Sequence, residues 1–267
     1  MTSSGGLNYR MSMDNLATPG FFSLSPARET FRLVSAFLHD DVTLAPDRLH
    51  LVLGAKLEHN SFTGTDVQPN VRMLWKVSED HVLWAAASRA ARTPSRADRD
   101  SIIDLAALPP FAPGNPSPLP VLTRSTVQPG MPSVAEIVEA IEAGYRTQLA
   151  PQLSLDVTAF ANRYSHLRSV HTGATVPQLV PAPFLLQQLH VDNALSASTR
   201  GLEASVDWRP AARWRLQTSY SLLHASFPVS GDPGRDQMAR MLRDSAPAHQ
   251  LSVRSMFDLS PHHTLDL

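Results

Sequence analysis

The chain has 267 residues, a formal net charge of −1 and no cysteine. Near-neutrality removes the basic footprint of a nucleic-acid binder, and the absence of thiols excludes a disulfide framework or a thiolate metal site. No apolar run reaches the roughly 18 residues of a membrane helix. The opening MTSSGGLNYRMSMDN also has no apolar h-region, so no signal peptide is predicted.

Period-two alternation predicts strands near 6–14, 28–41, 48–60, 69–78, 81–90, 137–149, 152–164, 197–208, 213–226, 248–258 and from 263 onward. Both parities of 28–41 are apolar: Phe31, Leu33 and Phe37 on one, Val34, Ala36 and Leu38 on the other. Over 49–60, Leu49, Leu51, Leu53, Ala55 and Leu57 share a face, opposite His50, Gly54, Lys56, Glu58 and Asn60. Nine of the 22 prolines lie between Ala91 and Ala135. With these boundaries every proline falls in a gap or at a strand's first residue, as its missing ladder N–H requires. The segment 91–136 is thus expected to be a long structureless loop.

The segment 134–143 supports two readings. Ser133-Val134-Ala135-Glu136 has the form of a capping box, Ile137, Val138 and Ile141 follow helical spacing, and Gly144 sits where a helix would stop. The order of gaps favours a strand beginning near Ile137. The clearest unit is the hairpin 197–226. Leu202, Ala204, Val206 and Trp208 alternate with Glu203, Ser205 and Asp207. After the turn at Arg209–Ala212, Trp214, Leu216, Thr218, Tyr220 and Leu222 alternate with Arg213, Arg215, Gln217, Ser219 and Ser221. Each arm is about twice the usual strand of 5–6 residues, the length that crosses a bilayer at a tilt.

Two architectures fit such a hairpin: a soluble sandwich with one dry face, or a transmembrane barrel with a greasy outside and a wet inside. The gaps separate them. Along the chain they run long, short, long, short, which an up-and-down barrel produces by placing short turns on one side of the membrane and long loops on the other. The predicted fold is therefore all-β: an antiparallel transmembrane barrel portion of about ten to eleven strands, with long extracellular loops and short periplasmic turns.

Several segments, in order, resemble the β-barrel domain of TonB-dependent outer-membrane receptors. They include Leu49–Gly64 (LHLVLGAKLEHNSFTG), Leu83–Ser95 (LWAAASRAARTPS), Glu142–Arg146 (EAGYR), Phe160–Leu167 (FANRYSHL) and Arg200–Glu203 (RGLE). The Arg89–Ser95 stretch is the most specific. Lys56 and Ala161 depart from the family pattern, and the family's approach to the Glu142 strand is absent. The resemblance implies a receptor for a scarce nutrient such as a ferric siderophore, located in the bacterial outer membrane. It implies outer-membrane lipid and lipopolysaccharide as surroundings. It also implies energy from TonB, engaged through an N-terminal part outside this sequence. Such receptors have a plug and a barrel of about 22 strands, so residues 1–267 read as one partial barrel domain without plug or final strands. The sheet is then expected to stay open, with edges at 6–14 and 248–267. The alternative function is a soluble or surface lectin-like β-rich binder.

No catalytic residue is predicted. G-x-S-x-G, H-E-x-x-H, P-loop and G-x-G-x-x-G patterns are all missing. Glu203 and Asp207 lie about 13 Å apart on an extended strand, too far for a carboxylate pair at roughly 5–9.5 Å. His39-Asp40-Asp41 and His262-His263 read as solvated strand ends rather than metal ligands, and no cofactor is expected. Ligand binding falls to the loops. Arg89, Arg92, Arg96 and Arg99 cluster at the base of the longest one, where guanidinium groups suit an anionic ferric chelate or a lipopolysaccharide phosphate. Asp98 and Asp100 offset part of that charge.

Overall fold

The computed structural model describes residues 1–16, 20–127 and 132–267. Its wall is an antiparallel sheet that curls into a half-barrel. In chain order the path runs β1 (Thr2–Asn15), β3 (Arg28–Ala45), β4 (Leu49–Asn60), β5 (Gly64–Lys76), β6 (His81–Arg92) and β9 (Glu136–Ala150). It continues through β10 (Leu153–Gln178), β11 (Phe184–Ala211), β12 (Trp214–Ser226), β13 (His249–Ser260) and β14 (His263–Asp266). Those eleven strands match the predicted ones in number and order. β1 and β14 form the two open edges.

Register shows how the alternation works. One row of directly paired residues runs Leu51, Met73, Ala85, Ala143, Ala159, Leu202 and Leu222 across seven strands. A second, nearer the short turns, carries Trp75, Tyr145 and Tyr220. Trp208 and Trp214 flank the next turn, giving the aromatic girdle expected at a membrane interface. On the opposite parity Asp156 pairs with Arg146 and Ser205, and Ser205 continues into Ser219 and Ser252. The ambiguous strand resolves in the same way. Val34, Ala36 and Leu38 join the greasy row of Leu57 and Ala55, while Phe37 turns inward and covers Gly6. A Cβ at Gly6, Gly144 or Gly201 would strike the inward ring of Phe37, Trp84 or Phe160.

The strand favoured over a helix near Ile137 is observed from Glu136 onward; β6 and β10 ladder onto β9 from both sides, and this pairing overrides the local helix signal. Three other expectations are corrected. The segment 91–136 is not structureless. It contains α1 (Arg96–Asp100), β7 (Ser101–Leu108) and β8 (Val121–Val127). β7 also pairs with the short β2 (Phe22–Leu24). The presumed loop 165–196 is mostly ladder, because β10 and β11 run on far beyond the wall and β8 joins β11 in parallel. The β4–β5 connection is only Ser61–Thr63, so the long–short alternation has one exception.

Pro69 lies inside β5 and breaks the proline rule at little cost. Pairing to β6 begins only at Asn70. Val67, on the same side of the strand, already turns its carbonyl to the Arg89 guanidinium instead of a ladder partner. Pro210 falls at the register shift between Trp208 and Ala211, a bulge position.

Candidate functional site

The long connections, together with the short Ser61–Thr63 link between β4 and β5, gather at one end and build a crown. Its core is small. Among the described residues the buried apolar side chains are eight: Leu24, Ala135, Ile137, Leu186, Val191, Leu195, Ala197 and Ala239. All lie in β2, the approach to and start of β9, the upper half of β11, and the helix α2 (Pro233–Asp244). α2 is started by Asp232, whose side chain accepts from Arg235 N at 2.9 Å, with Pro233 at the first helical position.

α1 is a single turn fixed by a capping box. Asp98 N donates to Ser95 Oγ at 3.2 Å, and Ser95 N donates back to the Asp98 carboxylate at 3.0 Å. That turn distributes the four predicted arginines. Arg92 donates to Glu136 at 2.7 Å and to Asp98 at 3.3 Å. Arg99 lies 3.9 Å over the Phe62 ring and contacts Glu29 and Asp100, each at 2.9 Å or less. Arg96 points under the loop to Asp14, Asp100 and the Pro26 carbonyl. Arg89 has the opposite parity to Arg92, alongside Ala85 and Ala87, and faces the outer side.

A cavity of about 510 Å³ opens between α1, the foot of β9 and the extended β10–β11 hairpin. Arg92 and Arg99 line it; Arg89 and Arg96 do not. It also recruits Phe62, Asp98, Glu136 and Arg168. Arg168 donates to Asp98 at 2.8 Å and, through its backbone, to Glu136 at 3.0 Å. Nothing in the sequence marks Arg168. Glu136 faces Arg92 directly across the β6–β9 ladder, a pairing visible only once the register is known.

Charges in the crown are closely matched. Burial alone would raise the Asp98 carboxyl; bonds from Ser95 and the charges of Arg168 and Arg92 outweigh it and hold Asp98 below the usual carboxylate range. Asp192 behaves alike: burial opposes ionisation, but Ser169, Arg235 and the Ala194 N–H keep it depressed. The bond from Arg124 outweighs burial and lowers Asp104. Each cavity arginine is therefore already engaged by a carboxylate, so an anionic ligand entering must exchange partners rather than meet bare cations.

The family model described as TonB dependent receptor-like, beta-barrel, matches residues 1–263. The chain belongs to the TonB-dependent receptor family. No curated protein matches the sequence. Among solved structures, the siderophore receptor PirA from Acinetobacter baumannii superimposes with a TM-score of 0.68 at 16% identity, over 90% of this chain and 33% of that one. PirA from Pseudomonas aeruginosa gives 0.66 at 15%, covering 99% and 41%. The FrpB iron transporter from Neisseria meningitidis gives 0.61 at 11%, covering 99% and 39%. The chain thus spans about a third to two fifths of these receptors. Receptors of this family are outer-membrane proteins. At such identities the superpositions establish a shared half-barrel and nothing about cargo.

Proposed function

We propose that this TonB-dependent receptor chain forms part of the wall and crown of an outer-membrane importer for a ferric chelate, driven by TonB. The observation that carries the reading is where burial occurs. A water-soluble domain of this size would bury most of its apolar side chains in a core. Here the buried ones are confined to the crown, while along the wall Leu202 is 38% exposed, Trp208 44% and Leu251 70%. Those rows need lipid. The same exposure removes the support for a soluble lectin-like sandwich.

The cavity beside Arg92 and Arg99 is the proposed contact for the chelate, with Phe62 as an aromatic wall. Guanidinium groups already oriented by carboxylates retain directional donors for an anionic catecholate or carboxylate ligand. The solved siderophore and iron receptors are consistent with that cargo class.

Two measurements test the reading. In micelles of brominated detergent, the W84F chain, which lacks the inward tryptophan, should show strong quenching of Trp75, Trp208 and Trp214 emission. Quenching by aqueous iodide instead would remove the membrane placement. With the chain in plain micelles, a ferric catecholate should bind about tenfold less tightly to R92A/R99A, a loss of about 1.4 kcal/mol. Unchanged affinity would exclude this cavity.

A further inference from the structure

Behind the cavity lies a buried polar node that does not line it. The segments Leu49–Gly64 and Leu83–Ser95, distant in sequence, meet there through Glu58, Asn60 and Thr93. Asn60 is 1% exposed. Its Oδ1 accepts from the backbone N–H groups of Phe62 and Thr63, each at 2.9 Å. Its Nδ2 donates to Thr63 Oγ1 at 2.8 Å and to Thr93 Oγ1 at 3.3 Å. Two donors and two acceptor lone pairs are all that an Asn amide has, so this one is fully used. Thr93 passes the contact on. Its hydroxyl donates to Glu58 Oε1 at 3.3 Å, and the other Glu58 oxygen accepts from Lys56 Nζ at 2.6 Å.

The node joins the two segments that face the cavity. Ser61–Thr63 presents Phe62, and Thr93 stands between Arg92, the last residue of β6, and the Pro94-Ser95 entry to α1. Phe31 braces the Phe62 ring edge-on, with centroids 4.7 Å apart at 63°. The Arg99 guanidinium, carried by the α1 turn that follows Thr93, lies over the same ring at 3.9 Å. Ring and guanidinium thus belong to different segments, and Asn60 is bonded to both segments at once. The Ser61–Thr63 link is tied to β3 without Thr93: Ser61 N donates to the Arg32 carbonyl at 3.0 Å, and Ser61 Oγ accepts from Arg32 N at 3.1 Å. The bond from Asn60 to Thr93 therefore adds alignment between segments rather than closure of the link. We propose that Asn60, through Thr93, is the positioning residue that sets Phe62 beneath Arg99 and so fixes the binding geometry of the cavity. It touches no ligand itself. This role rests on the chelate reading of the cavity and adds to it what holds the aromatic wall and the guanidinium in register.

The experiment titrates the full chain in non-ionic detergent with a ferric triscatecholate and follows strand content by circular dichroism. N60A should weaken binding by about fivefold, the worth of one cation–π alignment. T93V keeps the shape and loses the hydroxyl, and should weaken binding by about threefold. T93S, which keeps the hydroxyl, should bind like the parent chain. A double-mutant cycle separates positioning from plain stability. In an F62A/R99A background the ring and the guanidinium are gone, and adding N60A should cost less than about 1.5-fold more. If N60A loses strand content, T93V takes its place in the cycle. Three results would overturn the proposal: full affinity in a folded N60A or T93V, T93S as weak as T93V, or an undiminished loss in the F62A/R99A background, which would mean that Asn60 only stabilises its loop. If R92A/R99A binds the triscatecholate as tightly as the parent chain, the chelate reading fails. If R92A/R99A is weakened and N60A is not, the positioning role alone falls.

Discussion

The wall and the crown solve the burial problem in opposite ways. Along the wall, Leu202, Trp208, Leu222, Leu251 and Val253 stay exposed, and the backbone ladder provides the continuity from strand to strand. Lipid takes the place of a core, so side chains there need only be apolar and need not interlock. In the crown, water surrounds the chain, and the buried apolar set is too small to hold three strands and two helices. Buried polar contacts fill the gap. Asp192, with 1% of its side chain exposed, accepts from Ser169 and Arg235 and lies 3.3 Å from His171 Nδ1. It thereby ties α2 to the upper hairpin. The wall should accordingly tolerate any apolar substitution, while the crown should depend on a few specific groups.

The sharpest way to break that contrast is Asp192→Ala. Removing one partner from a buried ion pair leaves the other uncompensated and costs about 3–5 kcal/mol. The loss should be local. Hydrogen exchange should accelerate in α2 and in β10 beyond Tyr164, with Leu153–Tyr164 unchanged. Uniform acceleration through the wall would show that crown and wall are one cooperative unit. The reverse experiment targets the wall. Leu202→Arg places a charge on the lipid side and should cost about 2–4 kcal/mol near the bilayer centre. Ser205→Arg, three residues on and facing inward, should cost little. Urea titration from lipid vesicles measures both, and equal effects would erase the distinction between the two faces.

The same division decides what could be read in advance. Wall strands were legible because a single solvent boundary on each side imposes period two, as in Leu202–Trp208 or Leu153–Ala159. The crown was not, because its order comes from partners distant in sequence. β10 runs on to Gln178 through bulges at Tyr164/Leu167 and Thr172/Thr175, and His166 has φ 57°; each interruption shifts the parity that a sequence reading follows. The Ser133–Glu136 pattern suggested a helix start, yet Glu136 is occupied by Arg92 and by the backbone of Arg168. A real capping box lay close by at Ser95–Asp98, using Asp where Glu or Gln is usual. Arg92, Arg96 and Arg99 lie where β6 gives way to α1, and composition could not show that Arg89 faces the other way.

A smaller effect tests whether the crown's proline-rich loop is held by one residue. Asn115, 1% exposed, donates to the carbonyls of Pro109 at 2.8 Å and Leu119 at 2.9 Å and accepts from Ser117 N at 3.1 Å. Asn115→Ala leaves those buried groups unpaired, at a cost of about 1–3 kcal/mol. Limited proteolysis should begin within Phe111–Leu119 while the wall stays intact. Resistance equal to the parent chain would mean that proline stiffness alone holds the loop.

Acid should produce the mildest separation of the two regions. The carboxyls of Asp98, Asp104 and Asp192 all titrate below the ordinary range when folded. A group with a depressed folded pKa stabilises the fold above its unfolded value, about 3.9 for Asp. That contribution is lost as pH falls from there through the folded pKa. Between neutrality and about pH 5 the crown should therefore be unchanged, and below about pH 4 it should loosen progressively. The wall's outward row from Leu51 to Leu222 carries no carboxylate, and its ion pairs, such as Arg146–Asp156 and Arg215–Asp207, lie on the wet inner face and not between packed elements. Exchange rates in α2 and β8 measured from pH 6 down to pH 3, corrected for intrinsic chemistry, should rise only at the acid end. Asp192→Asn should remove part of that dependence and leave the share of Asp98 and Asp104. A crown that loosened instead between pH 5 and 7 would point to its histidines, and the carboxylate account of its cohesion would fail.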